Sequence, residues 1–99
     1  MASRLKTTKR TMDILKEIEN KSNIRPNILA RIAINLSIKN GHKPDQKEFD
    51  NKGLEFHHQT LFGNYKQLFK SMISQTIGRH ISEEEFFPEI TKNYLEDGI

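Results

Sequence analysis

The chain has 99 residues, with 16 Lys and Arg, 13 Asp and Glu, and no Cys. This length is enough for one compact domain, so we expect a single domain over residues 1–99. Without cysteine the chain cannot form disulfides, thiolate metal sites or a persulfide on its own thiol. Because no apolar run approaches the length of a membrane span, we expect a cytoplasmic protein that does not associate with membranes.

The charge is distributed unevenly along the chain. Residues 1–47 contain 11 basic and four acidic residues and carry +7, whereas residues 48–99 contain five basic and nine acidic residues and carry −4. A basic half joined to an acidic half indicates a phosphate-binding surface on one side. The acidic side is then either a protein-binding surface or simply solvated.

Residues 3–40 have the pattern of a strand followed by two helices. Apolar and polar residues alternate over Arg4–Thr8, which predicts a short strand. Thr8 is suited to cap a first helix over Lys9–Ser22, which carries an apolar stripe. A second helix is predicted over Pro26–Lys39, because proline is favoured in a first helical turn and Asn-Gly follows.

Residues 54–97 form an acidic, helical C-terminal half in this interpretation. Leu54–His58 is predicted to be a second strand that pairs with the first. A third helix is predicted over Thr60–Ile77, and a capping box at Ser82 begins a final helix that Pro88 kinks or restarts. The expected fold is therefore mainly α, with a short N-terminal strand followed by about four helices.

The second helix has apolar residues on two sides. The broader side is expected to pack in the core and consists of Ile28, Leu29, Ile32, Ala33 and Leu36. Ile34 and Ile38 lie nearly opposite, beside a polar row that contains Arg31. We predict that Ile34, Ile38 and Arg31 form the interface of a homo-oligomer, with contact between the polar row and DNA as the alternative.

The basic residues of the N-terminal half are the candidate DNA-binding site. Lysine and arginine bind duplex DNA through its phosphates, with affinity that depends on salt and little on sequence. The free amides at the start of the first helix are expected to accept a phosphate as well. The predicted DNA-binding residues are Arg4, Lys6, Lys9, Arg10, Lys16, Lys21 and Arg25.

Other chemistry is not indicated. His57 and His58 are adjacent and would face opposite sides of a strand, which does not suit a metal site. The acidic run Glu83–Glu85 is explained by the start of a capped helix, and Phe62, Tyr65 and Phe69 have core spacing. No phosphate loop, nucleophile elbow or zinc signature occurs. We therefore expect no metal, no cofactor and no enzyme activity.

The order of strand, helix and helix over residues 3–40 resembles the ribbon–helix–helix family. In that family two chains pair their strands into a ribbon that enters the major groove. This resemblance implies an alternative function, a sequence-specific repressor with Arg4, Lys6 and Thr8 on base edges. A further alternative is a protein adaptor whose basic half docks on an acidic partner.

A narrower resemblance covers nearly the whole chain. Ile24–Ala33, continued by Leu36 and Ser37, is similar to the DndE family of small DNA sulfur-modification proteins, as are Thr60–Gly63 with Tyr65 and the closing Asp97–Ile99. The resemblance implies a non-catalytic accessory subunit that binds double-stranded DNA, with a preference for nicked duplex, and associates into tetramers. It also implies sulfur-transfer and ATPase subunits as partners in a DNA phosphorothioation system.

Overall fold

The computed structural model describes residues 4–44 and 49–99. They form a mainly helical structure with one two-stranded antiparallel sheet, which confirms the predicted class. None of the described helices is long and apolar enough to cross a membrane. The strands are β1 (Arg4–Lys6) and β2 (Glu55–His57), and the helices are α1 (Lys9–Ser22), α2 (Pro26–Lys39), α3 (His58–Phe62), α4 (Lys66–Ile77), α5 (Glu83–Glu85) and α6 (Thr91–Gly98).

The two strands pair within the chain. Leu5 lies opposite Phe56, and both side chains are buried beneath the sheet. Arg4 and Lys6 point the other way, to solvent, because side chains alternate along a strand. The predicted pairing is confirmed. The ribbon–helix–helix resemblance implied a ribbon between two chains, whereas the structure pairs β1 with β2 of the same chain.

Helices α1 and α2 have the predicted bounds. The Thr8 side chain accepts a hydrogen bond from the Thr11 N–H at 3.1 Å and so caps α1. The helix ends at Asn23, whose left-handed backbone (φ 60°) lets its N–H donate to the Glu19 carbonyl at 2.8 Å. Pro26 lies in the first turn of α2, where its missing N–H is not needed.

Helix α2 makes its most extensive packing with α6. The buried face of α2 includes the small residues Ala30, Ala33 and Ser37. Gly98 of α6 lies so close to the backbone of α2 that a Cβ atom on it would be 1.8 Å from the Ala33 carbonyl oxygen. The close approach of the two helices therefore depends on small residues on both.

The single helix predicted over Thr60–Ile77 is divided in the structure. Gly63 has φ 56° and ψ −128°, a combination that glycine adopts with little strain, and it ends α3. A 3-10 turn then leads into α4. This break changes the helical phase, so Phe62 and Phe69 are buried as predicted, whereas Tyr65 is 55% exposed.

The capping box predicted at Ser82 is confirmed. The Glu85 N–H donates to the Ser82 hydroxyl at 3.1 Å, and the Ser82 N–H donates to the Glu85 carboxylate at 3.3 Å. The helix that begins there is interrupted at Pro88, as predicted. Phe87, the residue before Pro88, is extended, as is common before proline, and α6 begins after this interruption.

One hydrophobic core contains side chains from both halves of the chain. The Phe62 ring contacts three other aromatic rings. Its centroid lies 5.1 Å from that of Phe69, 5.4 Å from that of Phe86 and 6.1 Å from that of Phe87. Leu15 of α1 belongs to the same buried cluster. The basic and acidic halves therefore fold around a shared core.

Glu83 joins α5 to α4 through two lysines. Its carboxylate lies 3.0 Å from the Lys66 Nζ and 3.1 Å from the Lys70 Nζ. Hydrogen bonds from Lys66, then Lys70 and Gln67, lower the pKa of Glu83 from 4.5 to about 2. Since the pKa is depressed in the folded state, this stabilisation is present above about pH 4.5 and is lost as the pH falls towards 2.

We expect Glu83→Gln to reduce the free energy of unfolding by about 1 kcal/mol or less at pH 7, because the side chain is 39% exposed and solvent screens the ion pairs. In urea unfolding, the difference from the wild-type chain should shrink as the pH falls from 4.5 towards 2. Glu84→Gln, at the exposed neighbouring residue, is the control and should have little effect. A difference that is the same at pH 7 and near pH 2 would contradict this assignment.

Candidate nucleic-acid interface

The seven basic residues predicted to bind DNA are all exposed on the surface. Two lie on β1, four on α1, and one immediately before α2, so the set follows the chain from the sheet to the break between the two helices. Their immediate surroundings differ, and this difference separates them into a paired and an unpaired group.

The paired group consists of Arg4, Lys9 and Lys21. Arg4 lies 2.9 Å from the carboxylate of Glu55 on the neighbouring strand. Lys9 and Lys21 form ion pairs within α1, at 3.1 Å with Asp13 and 3.0 Å with Glu17 respectively. Exposed pairs of this kind contribute about 1 kcal/mol or less, so a phosphate can displace the carboxylate, but the acids weaken the local positive potential.

The unpaired group consists of Lys6, Arg10, Lys16 and Arg25. None of these four forms an ion pair with another described residue. Residues 21–44, which include Arg25, contain five basic residues and no acidic residue. Two of the five, Lys39 and Lys43, are exposed and also unpaired among the described residues. Among the described residues, the unpaired group and this acid-free segment are therefore the candidate phosphate contacts.

The N-terminus of α1 is occupied by the chain's own carboxylates. Glu96 of α6 accepts hydrogen bonds from the Thr8 N–H at 3.0 Å, from the Thr8 hydroxyl at 2.9 Å and from the Thr11 hydroxyl. The Lys9 N–H donates to Asp50 at 3.0 Å. In the first turn of α1, the Lys9 N–H thus bonds to Asp50 and the Thr11 N–H to the Thr8 hydroxyl, which leaves fewer free amides for the expected phosphate.

Asp50 also anchors the segment that precedes β2. Backbone hydrogen bonds from Lys52 and then Lys9 lower the pKa of Asp50, because they favour its charged form. The Lys92 Nζ donates to the Asp50 carbonyl and to the Asn51 side chain, both at 2.8 Å. This segment is thus held against both α1 and α6.

Of the predicted oligomer interface of Ile34, Ile38 and Arg31, the Ile34 prediction is wrong, because this side chain lies in the core. Ile34 has no exposed surface, and Ile38 is partly buried against the core. Arg31 donates hydrogen bonds to the carbonyl oxygens of Leu61 and Thr60, at the end of α3. The cause is the close packing of α6 on the side of α2 that carries the small residues, which places Ile34 inside.

The opposite side of α2 is the exposed apolar one. Ile28, Ile32 and Leu36, spaced four residues apart, are 43%, 46% and 46% exposed. We call these three residues the α2 ridge. Tyr65, at the end of the 3-10 turn, and Leu68 of α4 are both 55% exposed and line a groove between α2 and α4. The chain therefore has an unpartnered apolar face, with residues the sequence analysis had assigned to the core.

Comparison of the sequence with protein-family models identifies the family of this chain. The family described as DNA sulphur modification protein DndE matches residues 4–99. The chain belongs to the DndE family. The resemblance predicted from the sequence is thus confirmed, and the chain is a member of a family of DNA sulfur-modification proteins.

Solved DndE structures have a similar fold. DndE from Escherichia coli B7A is 22% identical, with a TM-score of 0.76, and the match covers 99% of this chain and 95% of that one. A glycine-to-lysine mutant of DndE is 23% identical, with a TM-score of 0.69 and coverage of 99% and 94%. Both are described as involved in DNA phosphorothioation. A comparison with curated proteins found no match.

The DndE fold brings together residues that sequence reasoning did not connect. Glu96 meets Thr8 across 88 positions, and no local pattern indicates that contact. The α2 ridge had a visible signal, its spacing of four residues, but the signal was assigned to the core. Within residues 4–44 and 49–99, no group of three or more His, Cys, Asp or Glu side chains is placed to hold a metal ion.

Proposed function

We propose that this DndE-family chain is a non-catalytic accessory subunit of DNA phosphorothioation that binds duplex DNA, nicked duplex included, with little sequence preference. The observation that carries the proposal is the unpaired group, Lys6, Arg10, Lys16 and Arg25, which is exposed and has no ion-pair partner among the described residues. Flexible cations without carboxylate partners suit phosphates, which have the same charge along any sequence.

The accessory role follows from the composition. The chain contains no cysteine, so it has no thiol that could carry sulfur to DNA. We propose that sulfur-transfer and ATPase subunits supply that chemistry in the cytoplasm, while this chain holds the duplex for them. The acidic C-terminal half is the surface we assign to contact with those subunits.

Self-association is part of the proposal. A 99-residue domain buries a modest fraction of its surface, and an apolar face such as the α2 ridge is stabilised when it is covered. We propose a homo-oligomer, with the tetramer of the family resemblance as the expected size. The surface that supports it is the α2 ridge rather than Ile34 and Ile38.

The double variant Arg10→Gln, Lys16→Gln tests the DNA-binding residues. We expect its affinity for duplex DNA to fall at least about tenfold, and the slope of log affinity against log salt to decrease by about two, because two phosphate contacts are lost. Fluorescence anisotropy with a labelled duplex measures both quantities.

The matched control is Lys70→Gln, Arg79→Gln, which removes the same net charge from the acidic half, where both residues are paired with glutamates. It should leave the salt slope nearly unchanged. If both double variants lower the slope equally, net charge rather than the unpaired group determines binding, and the assignment of these residues fails.

The repressor remains a second candidate because β1 carries Arg4 and Lys6 on its exposed face. Against it, Arg4 is paired with Glu55 and β1 is paired within its own chain. A preference of thousands-fold for one duplex over random competitor would favour the repressor. Complete absence of DNA binding at low salt would favour the protein adaptor.

A further inference from the structure

A cleft between α1, α6 and residues 42–44 combines basic side chains with an aromatic ring. Its volume of about 530 Å³ lies within the range of small-molecule sites. Among the residues that line it are Arg10, His42, Lys43, Phe49 and Asn93. We call it the Phe49 cleft. Proteins bind unpaired nucleotides with this combination, because the phosphates contact the cations while a base stacks on the ring.

We propose that the Phe49 cleft binds one unpaired nucleotide of a DNA strand, with the base stacked on the Phe49 ring and the phosphate on Arg10 and Lys43. The inference rests on the proposed function, because it assumes that the chain binds DNA. It adds a contact with a base that has left the double helix, which the exposed cations alone do not make.

The backbone next to Phe49 is held against two helices. Asp50, the next residue, accepts a hydrogen bond from the Lys9 N–H at 3.0 Å, and its carbonyl accepts one from the Lys92 Nζ at 2.8 Å. The Lys92 Nζ also lies 5.8 Å from the centroid of the Phe49 ring, which is partly exposed. A ring fixed in this way loses little conformational freedom when a base stacks on it.

Phe49 also borders a second cleft, which lies beside β1. Lys6 and Lys92 line this second cleft together with Phe49, whereas Lys92 does not line the Phe49 cleft. Cations on both sides of the ring suit a strand that continues past the stacked nucleotide, since its flanking phosphates also need counterions. A nucleotide within a strand is therefore favoured over a free nucleotide. Asn93 lines both clefts and offers a donor and an acceptor to the base edge.

Two carboxylates line the Phe49 cleft as well, and each is held by its own donors. Glu96 accepts the hydrogen bonds at the start of α1 described above. Asp97 accepts a hydrogen bond from the Ser37 hydroxyl at 2.6 Å and lies 2.6 Å from the His42 Nδ1. The two cations assigned to the phosphate form no ion pair with a described residue, so they are available to an anion from outside.

The test compares Phe49→Trp with Phe49→Leu. The chain contains no tryptophan, so Phe49→Trp keeps an aromatic face and supplies a single fluorophore in the cleft. Phe49→Leu keeps an apolar side chain and removes the aromatic face. The probes are a fully paired duplex, the same duplex with one extra unpaired thymidine, and a third duplex in which that nucleotide lacks its base. Anisotropy of labelled DNA measures affinity, and tryptophan emission reports stacking.

We expect the wild-type chain and Phe49→Trp to bind the duplex with the unpaired thymidine about tenfold more tightly than the paired duplex, which is the effect of one stacked base. This duplex should quench the tryptophan emission, whereas the duplex without the base should not. Phe49→Leu should lose the tenfold gain and keep its affinity for the paired duplex.

Lys43→Gln tests the phosphate contact. Lys39→Gln is the matched control, because Lys39 is also an exposed lysine that forms no ion pair with a described residue. We expect Lys43→Gln to reduce the gain from the unpaired thymidine. Lys39→Gln should change the affinity for both duplexes by the same factor and so keep the gain.

Three results would overturn parts of this site. An equal gain in the wild-type chain and Phe49→Leu, or equal quenching with and without the base, would overturn the stacked base. An unchanged gain in Lys43→Gln would overturn its phosphate contact. Quenching of Phe49→Trp by thymidine monophosphate at the concentration at which the duplex acts would overturn the assignment to DNA, and would identify the cleft as a site for free nucleotides.

The same data separate this inference from the proposed function. If the wild-type chain binds none of the three duplexes at low salt, the proposed function fails and the nucleotide site in DNA fails with it. If the chain binds all three with equal affinity, the proposed function stands and only the nucleotide site is overturned.

Discussion

Replacing Ile34 by lysine is expected to unfold the protomer, whereas the same replacement at Ile32 is expected to leave it folded. Ile34 has no exposed surface, and Ile32 is 46% exposed on the same helix. Burying an unpaired ammonium group costs several kcal/mol, which is comparable to the roughly 5–15 kcal/mol that stabilises a whole domain. Circular dichroism during thermal unfolding distinguishes the two variants directly.

This pair of variants also tests which face of α2 belongs to the core. A folded Ile34→Lys chain with a melting temperature near that of the wild type would show that Ile34 is accessible and that the burial described above is wrong. An unfolded Ile32→Lys chain would show that the α2 ridge is required within the protomer.

Glu96→Ala is expected to reduce the free energy of unfolding by about 3 kcal/mol or more. The carboxylate accepts three hydrogen bonds from Thr8 and Thr11, and its loss leaves those donors without partners beside the buried start of α1. Urea unfolding at neutral pH measures the change. Glu96→Gln should be intermediate, because an amide still offers one accepting oxygen.

Glu84→Ala is the matched control, because Glu84 is exposed and lies at the start of a helix rather than in a buried network. We expect a change within about 0.5 kcal/mol there. Equal effects of the two alanine substitutions would mean that the contact between α6 and α1 contributes nothing beyond surface charge, contrary to the structure.

The elements with local start and stop signals were predictable. Thr8 caps α1 and Pro26 begins α2, and in each case the signal acts within a few residues of the boundary. Gly63 was not recognised as a break, because its effect on chain direction comes from an unusual φ and ψ that spacing alone does not reveal. The sequence therefore predicted one helix where the chain makes two.

The orientation of α2 could not be predicted from hydrophobicity. Counting apolar residues favours the side with Ile28, Ile32 and Leu36, but the side that packs against α6 is the one with small residues. Gly98 and Ala33 allow contact at a distance that larger side chains would prevent. Which face is buried thus depends on a helix about 60 residues further along the chain.

The exposure of the seven basic residues was predictable from the sequence, but not every ion pair that they form. All seven cations are exposed, as the sequence indicated. The pairs within α1 follow the spacing of four residues that joins opposite charges on a helix. The pair between Arg4 and Glu55 depends on the strand register, and it could be assigned only once the two strands were seen together.

DNA binding without sequence preference is tested by measuring the affinity of the wild-type chain for unrelated duplexes over a range of salt concentrations. We predict similar affinity for random-sequence duplexes, and log affinity that falls linearly with log salt, with a slope of about −0.9 for each phosphate contacted. No measurable binding at low salt, or binding to one sequence that survives an excess of random competitor, would contradict it.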